Sequence, residues 1–309
     1  MAAKSQVCKI ARFLIAILRQ GAKQEKMSNI KRHLKNFYDE EGFTDYQAKR
    51  YTEGNLFANR IRDEIITIAK KKINDVKGYN MIDIGSAEGL YLREINNKGI
   101  SLCLDLSYPK LKRASEKTDG LAMSYYVTAD AEYLPLRQGA FNGVICTEVL
   151  EHLPDPEKAI KEIAYITRKN GILFLSVPTG KDRMRPIAVS TEPNYMTESG
   201  HLHEFSKKEI RRLLEKKGFH VQHEITIDVL GEIRGLLNKF FRNFKADKRI
   251  SKINNEYKDS QGGPASSMAK RFLKRLYFQS WMYLDMLLSK IPILRRKGHY
   301  AIFVAEKLS

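Results

Sequence analysis

The stretch that decides the fold is Asn80-Met-Ile-Asp-Ile-Gly-Ser-Ala-Glu-Gly89, a short apolar run that ends in a glycine-containing turn. Residues 80–85 are typical of a buried strand, and residues 90–97 after the turn have a helical pattern. Glycines at the end of a strand let a ligand approach the backbone. The Gly-x-x-x-Gly spacing is not that of dinucleotide-binding proteins, and the absence of Gly-Lys-Ser/Thr excludes a triphosphate loop.

The alternation of strands and helices continues after this turn. Further helices are predicted at 108–117 and 155–166, and further strands at 101–106, 125–129, 143–147 and 172–177. Such alternation predicts an α/β fold, with a parallel sheet and crossover helices on both faces. Cys103 and Cys146 fall in two of these strands, where we expect buried, unreactive thiols.

The excess positive charge lies outside this core. The net charge is +18, of which residues 1–77 carry +8, residues 78–228 carry −1 and residues 229–309 carry +11. We therefore divide the chain into a helical amino-terminal extension (1–77), a core (78–228), a helical insert (229–298) and a final segment (299–309). The charge predicts an anionic partner, which is nucleic acid, a membrane surface or the substrate.

The amino-terminal extension combines basic residues with apolar ones. Residues 4–19 fit an amphipathic helix, which could dock on the core or lie on a membrane surface. Met27 offers a second start, in which case residues 1–26 would not belong to the protein. Tyr38, further along the extension, could cover a pocket or simply pack against the core.

The insert has the composition of an interfacial membrane segment. Basic clusters at 270–275 and 295–297 flank an aromatic-rich apolar stretch, as in helices that lie on membranes. The alternatives are a lid packed on the core and a dimer face. Asp285 argues against a helix through the bilayer, and no stretch stays apolar for the roughly 20 residues that a span needs.

Acidic side chains stand at the ends of three consecutive predicted strands. Asp83 lies at the end of the first strand, Asp105 at the end of the second and Asp130 just after the third. Asp105 is placed to accept hydrogen bonds from ribose hydroxyls, and Asp130 from an adenine amino group. A single such residue is commonly a turn or cap residue. Three together, without a basic cradle for phosphate, indicate a site for a nucleoside that carries no pyrophosphate.

These features resemble class I S-adenosylmethionine-dependent methyltransferases, and within them the branch with the ubiquinone-biosynthesis methyltransferases. The resemblance rests on the first turn, Asp105, Thr128–Pro135, Glu148–Pro156 and Arg168–Pro178. It implies a Rossmann-like, seven-stranded, mostly parallel sheet. Strand six would cover 220–227, and strand seven, at 300–305, would lie antiparallel between strands five and six.

The resemblance also implies S-adenosylmethionine as the cofactor. The residues expected to hold it are Asp83, Gly85, Ser86, Ala87, Gly89, Asp105, Leu106, Asp130, Ala131 and Thr147. Among these, Asp83 would organise the turn near the methionine amino group. Ala87 departs from the glycine that many members have at that position.

A second group of residues could act on the acceptor. Glu148, Glu151 and His152 have the spacing of a Glu-x-x-Glu-His element that binds a divalent ion in some quinone and RNA methyltransferases, and one helical turn would place them on one face. We prefer a structural role, in which Glu151 and His152 anchor a loop, and do not favour a metal. His201 and His203 fall where this family has its substrate loop, and either could be a further metal ligand or deprotonate a hydroxyl.

The expected function is methyl transfer from S-adenosylmethionine to a small hydrophobic or lipid-linked acceptor, at an oxygen. Three cysteines are too few for a disulfide framework, so we expect a cytoplasmic location, with contact to the anionic inner face of the membrane. RNA methylation is the first alternative because of the positive charge, although no RNA-binding module is recognisable. A non-catalytic adaptor that retains the cofactor fold is the second.

Overall fold

The computed structural model describes residues 28–32, 34–40, 56–73, 78–96, 99–117, 124–182, 201–229, 280, 283–291, 294 and 298–308. The strands are β1 (Met81–Ile84), β2 (Ser101–Asp105), β3 (Ser124–Thr128), β4 (Phe141–Thr147), β5 (Thr167–Pro178), β6 (Phe219–Ile227) and β7 (Tyr300–Lys307). The helices are α1 (28–39), α2 (Leu56–Ile73), α3 (Leu90–Ile95), α4 (Tyr108–Lys117), α5 (Pro156–Ile166), α6 (Lys207–Lys216) and α7 (283–288).

The strands form one seven-stranded sheet in the order β3-β2-β1-β4-β5-β7-β6. The first five are mutually parallel. β7 is antiparallel to both of its neighbours, β5 and β6. The predicted Rossmann-like sheet is therefore confirmed, including the antiparallel last strand between strands five and six.

Helices cover both faces of the sheet, because successive side chains along a strand point to opposite faces. Ile82 belongs to a buried cluster that also contains Ile160 of α5 and Leu214 of α6. Met81, one residue earlier, belongs to a second cluster with Ile65 of α2 and residues of α3 and α4. Both layers hold the sheet from its two sides, as the strand and helix alternation predicts.

The start of α5 agrees with the sequence. Asp155 caps the helix by accepting a hydrogen bond from the Lys158 backbone N–H at 3.1 Å, and Pro156 occupies the first helical position. β4 and β5, in contrast, begin earlier than predicted. Phe141 pairs with Thr167 across a register shift, and the polar residues 168–170 that follow conceal this part of β5 in the hydropathy pattern.

A buried ion pair attaches α7 to the core. Arg60 of α2 donates to Asp285 Oδ2 at 2.9 Å, and the Asp228 backbone N–H donates to the same oxygen at 3.0 Å. Asp285 is only 1 % exposed. The part of the insert that carries this aspartate is therefore docked on the core through its acidic residue.

Most of the insert and the first 27 residues lie outside the described residues. The predicted amphipathic helix at 4–19, the predicted interfacial character of the insert and the domain limits therefore stay predictions. Among the described residues, no helix has the length and apolar character required to cross a bilayer.

The Arg60 ion pair gives a test of how the insert is held. Arg60→Met leaves the buried carboxylate of Asp285 without its counter-ion, so we expect a loss of about 3–5 kcal/mol in the free energy of unfolding. Arg62→Met is the matched control in the same helix. Its partner Asp63 is 63 % exposed, so we expect a loss below about 1 kcal/mol. Urea unfolding followed by circular dichroism measures both, and equal losses would contradict the buried pair.

Candidate functional site

A cavity of about 270 Å³ opens at the carboxyl edge of the sheet, where β1, β2, β3 and β4 end. This volume is near the lower end of the roughly 300–1,000 Å³ that is usual for small-molecule sites. Eight of the residues predicted to hold the cofactor line it: Gly85, Ser86, Ala87, Asp105, Leu106, Asp130, Ala131 and Thr147. The parallel strands therefore bring four separate sequence motifs to one place.

Asp105 links two of these motifs. Its carboxylate accepts hydrogen bonds from the Ala87 backbone N–H at 2.8 Å and from the Ser107 backbone N–H at 2.9 Å. Asp105 is 8 % exposed and lines the cavity. Because a carboxylate can accept about four hydrogen bonds, it retains capacity for the hydroxyl groups of a ribose. The residues present thus fit the nucleoside part of S-adenosylmethionine.

Asp83 and Gly89 do not line the cavity. Asp83 is completely buried, and neither carboxylate oxygen has a hydrogen-bond donor among the described residues. Burial, with the nearby charge of Asp105, raises the pKa of Asp83 well above its usual value. Gly89 precedes α3, and a Cβ there would lie 3.2 Å from Cys103 Sγ, so glycine allows α3 to pack on β2. Their proposed contacts with the cofactor stay predictions.

Two structural features require glycine at position 85. Its φ is +73°, a left-handed conformation that side chains disfavour, and a Cβ would lie 2.3 Å from Val149 Cγ2. The turn after β1 therefore approaches the turn after β4 so closely that position 85 has no room for a side chain.

Asp130 is held by both local and distant partners. Its Oδ1 accepts from the Glu132 backbone N–H at 2.9 Å, and its Oδ2 accepts from Lys31 of α1 at 2.5 Å. Lys31 also pairs with the fully buried Glu132 at 2.6 Å. Burial opposes the charge of Lys31, yet these two carboxylates raise its pKa. The sequence did not identify Lys31, which lies 99 residues from Asp130.

α1 covers part of the cavity. Leu34 and Tyr38 line it, and Ser107 Oγ donates to the Tyr38 carbonyl at 3.4 Å and to Asp39 at 2.5 Å. The prediction that Tyr38 could cover a pocket is therefore confirmed. Burial and the charges of Glu151 and Asp105 raise the pKa of the Tyr38 hydroxyl, and Lys110 Nζ lies 4.3 Å from the centre of its ring.

Two histidines and a buried glutamate also line the cavity. Potential ligand atoms of Glu151, His152 and His201 all lie within 4.8 Å of one another. The rings of His152 and His201 meet edge to face with centroids 4.8 Å apart, and the Tyr38 ring lies 5.7 Å from His152. This group could act as a base or hold a divalent cation.

His203 lies outside the cavity lining, although it belongs to the same loop as His201. Its ring stacks on Phe205 with centroids 5.9 Å apart. The Glu151 carbonyl accepts from the backbone N–H groups of Leu202 at 2.7 Å and His203 at 3.1 Å. Glu151 thus anchors this loop through its backbone carbonyl, and the role of its side chain stays a prediction.

Glu148 is separate from this group. The predicted helical turn over 148–152 is wrong, because a 3₁₀ turn covers only Leu150–His152 and Glu148 has a left-handed φ of +53°. The Glu148 carboxylate lines the cavity and accepts from Ser176 Oγ at 3.0 Å. The sequence spacing grouped Glu148 with Glu151 and His152. In the structure, the third member of this group is His201, which comes from a distant loop.

Comparison with known proteins agrees with this fold. A methyltransferase domain family matches residues 48–224. The chain therefore belongs to this methyltransferase family, within the class I S-adenosylmethionine-dependent methyltransferases that its motifs resemble.

Individual relatives share part of the core. The ubiquinone biosynthesis O-methyltransferase of Chromobacterium violaceum is 28 % identical over 104 residues, which are 33 % of this chain and 45 % of that protein. The protein of the same name from Xanthomonas euvesicatoria is 30 % identical over 105 residues, 33 % of this chain and 44 % of that protein. The chain thus spans less than half the length of these curated relatives.

A solved structure shares the fold over most of the chain. Phosphoethanolamine N-methyltransferase 2 of Haemonchus contortus, in complex with S-adenosyl-L-methionine, has a TM-score of 0.55 and 17 % identity. The match covers 89 % of this chain and 60 % of that one. At this identity the similarity supports the fold alone.

Gly85 can be tested against a glycine with similar backbone strain. Gly85→Ala places a methyl group against Val149. We therefore expect the affinity for S-adenosylmethionine to fall by more than about tenfold, which corresponds to a loss of about 1.4 kcal/mol or more in binding free energy. In Gly139→Ala, φ is also positive at +60°, but the nearest atom to the new Cβ is 3.8 Å away. That control should lose about 1–2 kcal/mol of stability and keep its affinity. Calorimetry and thermal unfolding distinguish the two effects.

The buried Asp83 predicts a specific pH dependence. Its pKa is higher in the folded than in the unfolded protein, so the folded state loses stability as pH rises from the unfolded pKa, about 3.9, through the folded one. Asp83→Asn removes this penalty. Without cofactor, the variant should therefore be the more stable protein at neutral pH, and its advantage should vanish below about pH 4. Urea unfolding over this range measures the difference, and a constant difference would contradict the assignment.

Proposed function

We propose that the protein transfers a methyl group from S-adenosylmethionine to a hydroxyl oxygen of a small hydrophobic or lipid-linked acceptor. The observation that carries this proposal is the arrangement of the cavity. The same cavity is lined by the cofactor-type turns with Asp105 and by His152 and His201 beside the buried Glu151. An acceptor hydroxyl bound in this cavity would have a base within it.

The chemistry requires little more than positioning and proton removal. When bound, S-adenosylmethionine supplies a methyl group activated by a positively charged sulfur. The protein holds the acceptor oxygen in line, which is the main contribution expected for such a displacement. An imidazole nitrogen of His201 accepts the hydroxyl proton as the oxygen becomes nucleophilic. The Glu151 carboxylate lies 3.9 Å from His152 Nε2, so a negatively charged group stands beside this pair of rings.

The cavity is partly apolar. Leu34, Val149 and Leu153 line it together with Tyr38 and Tyr91. This lining suits an acceptor with a hydrophobic portion. The ubiquinone biosynthesis O-methyltransferases among the relatives support both a hydrophobic acceptor and an oxygen as the methylated atom.

We place the protein in the cytoplasm, in contact with the anionic inner face of the membrane. The described cysteines Cys103 and Cys146 are both buried and free, and burial raises the pKa of Cys103 to about 12, so neither depends on an oxidising compartment. The basic insert supports the membrane contact through its charge.

The acceptor class can be identified directly. The full chain is incubated with methyl-labelled S-adenosylmethionine and separate lipid, sugar and RNA fractions of a cell extract. We expect the lipid fraction to take the label. Label in RNA would support the nucleic-acid alternative, and absence of both label and calorimetric binding of the cofactor would support a non-catalytic adaptor.

Chelation tests the metal hypothesis. Our preferred structural role for Glu151 and His152 predicts unchanged turnover after exhaustive chelation. A loss of turnover that a divalent ion restores would instead assign these two residues, with His201, to a metal site.

The two loop histidines provide a matched pair of variants. His201 lines the cavity and His203 does not. We expect His201→Ala to lower kcat by about 10²–10⁴-fold, the usual contribution of a positioned base, with unchanged cofactor affinity. His203→Ala should keep nearly full turnover. The reverse result would move the base to His203, and full activity of both variants would remove a histidine base from the mechanism.

A further inference from the structure

α7 buries its acidic residue and exposes several apolar ones. Asp285 is 1 % exposed, whereas Tyr283 is 61 %, Leu284 43 %, Leu287 42 % and Ile291 43 % exposed. At about 100° per residue, Tyr283, Leu284 and Leu287 share a sector of roughly 100°, and Asp285 lies on the other side of the helix. We call Tyr283, Leu284, Leu287 and Ile291 the α7 apolar face.

The orientation of this helix is fixed by polar contacts. Arg60 and the Asp228 backbone N–H both bind Asp285 Oδ2, so α7 cannot rotate its apolar face inward without breaking a buried ion pair. A contiguous exposed apolar surface on a soluble fold usually marks a contact with a partner or a membrane. The core therefore presents the α7 apolar face outward.

α7 attaches at the same edge of the sheet as the cavity. Asp228 follows β6 at its carboxyl end, and His299 precedes β7. Thr179, after the carboxyl end of β5, donates through its backbone N–H to the His299 carbonyl at 2.7 Å. Because β5 is parallel to β4, this is the edge at which β4 ends in Thr147 on the cavity wall.

The charge around α7 selects one kind of partner. Residues 270–297 contain eight basic side chains and a single acidic one, Asp285. That acid is already paired with Arg60, so its charge is compensated within the core. Lys290, next to the α7 apolar face, is exposed. Positive charge beside apolar side chains complements an anionic bilayer, whereas a second copy of the chain would bring like charges together.

We propose that the α7 apolar face inserts into the headgroup region of an anionic membrane, with α7 lying in the membrane plane. This inference deepens the proposed function and rests on it, because a lipid-linked acceptor resides at that surface. Tyr283 supplies the amphipathic ring that is common at membrane interfaces, and Leu284, Leu287 and Ile291 supply apolar contact. The buried Asp285 keeps the face pointed at the bilayer.

The test is flotation of the full chain with vesicles of phosphatidylglycerol or of phosphatidylcholine. The variant Leu284→Ser/Leu287→Ser removes two side chains of the α7 apolar face. The control Tyr165→Ser/Leu308→Ser removes two side chains that are also exposed, at 50 % and 56 %, away from α7. We expect binding of the wild type to phosphatidylglycerol, binding about tenfold weaker for the α7 variant, and unchanged binding for the control.

Equal binding of all three proteins, or absence of binding by the wild type, would overturn the proposal. So would a wild-type dimer in sedimentation that only the α7 variant disrupts, because the face would then be covered by a second copy. Cofactor affinity and methyl transfer to acceptor dispersed in detergent are measured in parallel. If the α7 variant loses vesicle binding but retains methyl transfer, the result supports the α7 apolar face. If the α7 variant loses vesicle binding and the wild type shows no methyl transfer at all, the proposed function is rejected and the membrane contact remains.

Discussion

The carboxylate of Asp105 accepts two backbone hydrogen bonds, and the arrangement of the cavity depends on them. One comes from Ala87 in the turn after β1 and the other from Ser107 in the turn after β2. The same carboxylate therefore shapes both turns and faces the space between them. A parallel sheet places these turns side by side, and hydrogen bonds to one shared carboxylate connect them to each other. Asp105 combines this structural task with the recognition of a nucleoside.

The fold could be read from the sequence because its determinants are local. β1, β2 and β4 are short apolar runs that each lead through a turn into a helix, and helix starts such as Asp155–Pro156 are marked by their own residues. The position of β7 could not be derived in this way. It came from the resemblance to a known family, since no local pattern states that a strand beginning at Tyr300 will lie between β5 and β6.

The cofactor side of the site was predictable for the same reason. Residues such as Asp105 and Asp130 follow strands, and strand ends meet at one edge of a parallel sheet. Lys31 and Lys110 come from α1 and α4, and their approach to the cavity depends on packing across long sequence separations. His201 was a candidate only through the resemblance to the family, which has its substrate loop at that position. Glu148 was wrongly grouped with Glu151, because its positive φ interrupts the helical geometry on which that grouping depended.

The placement of β7 has a consequence for the order in which the protein can fold. β6 ends at Ile227, but the strand that joins it to the sheet begins only at Tyr300. During synthesis, β6 must therefore remain without its partner while the whole basic insert is made, and β5 carries an open edge for the same time. Pairings so distant in sequence form slowly, and an unpaired edge is prone to non-native association. The positive charge of the insert, by mutual repulsion, would help to keep such incomplete chains apart.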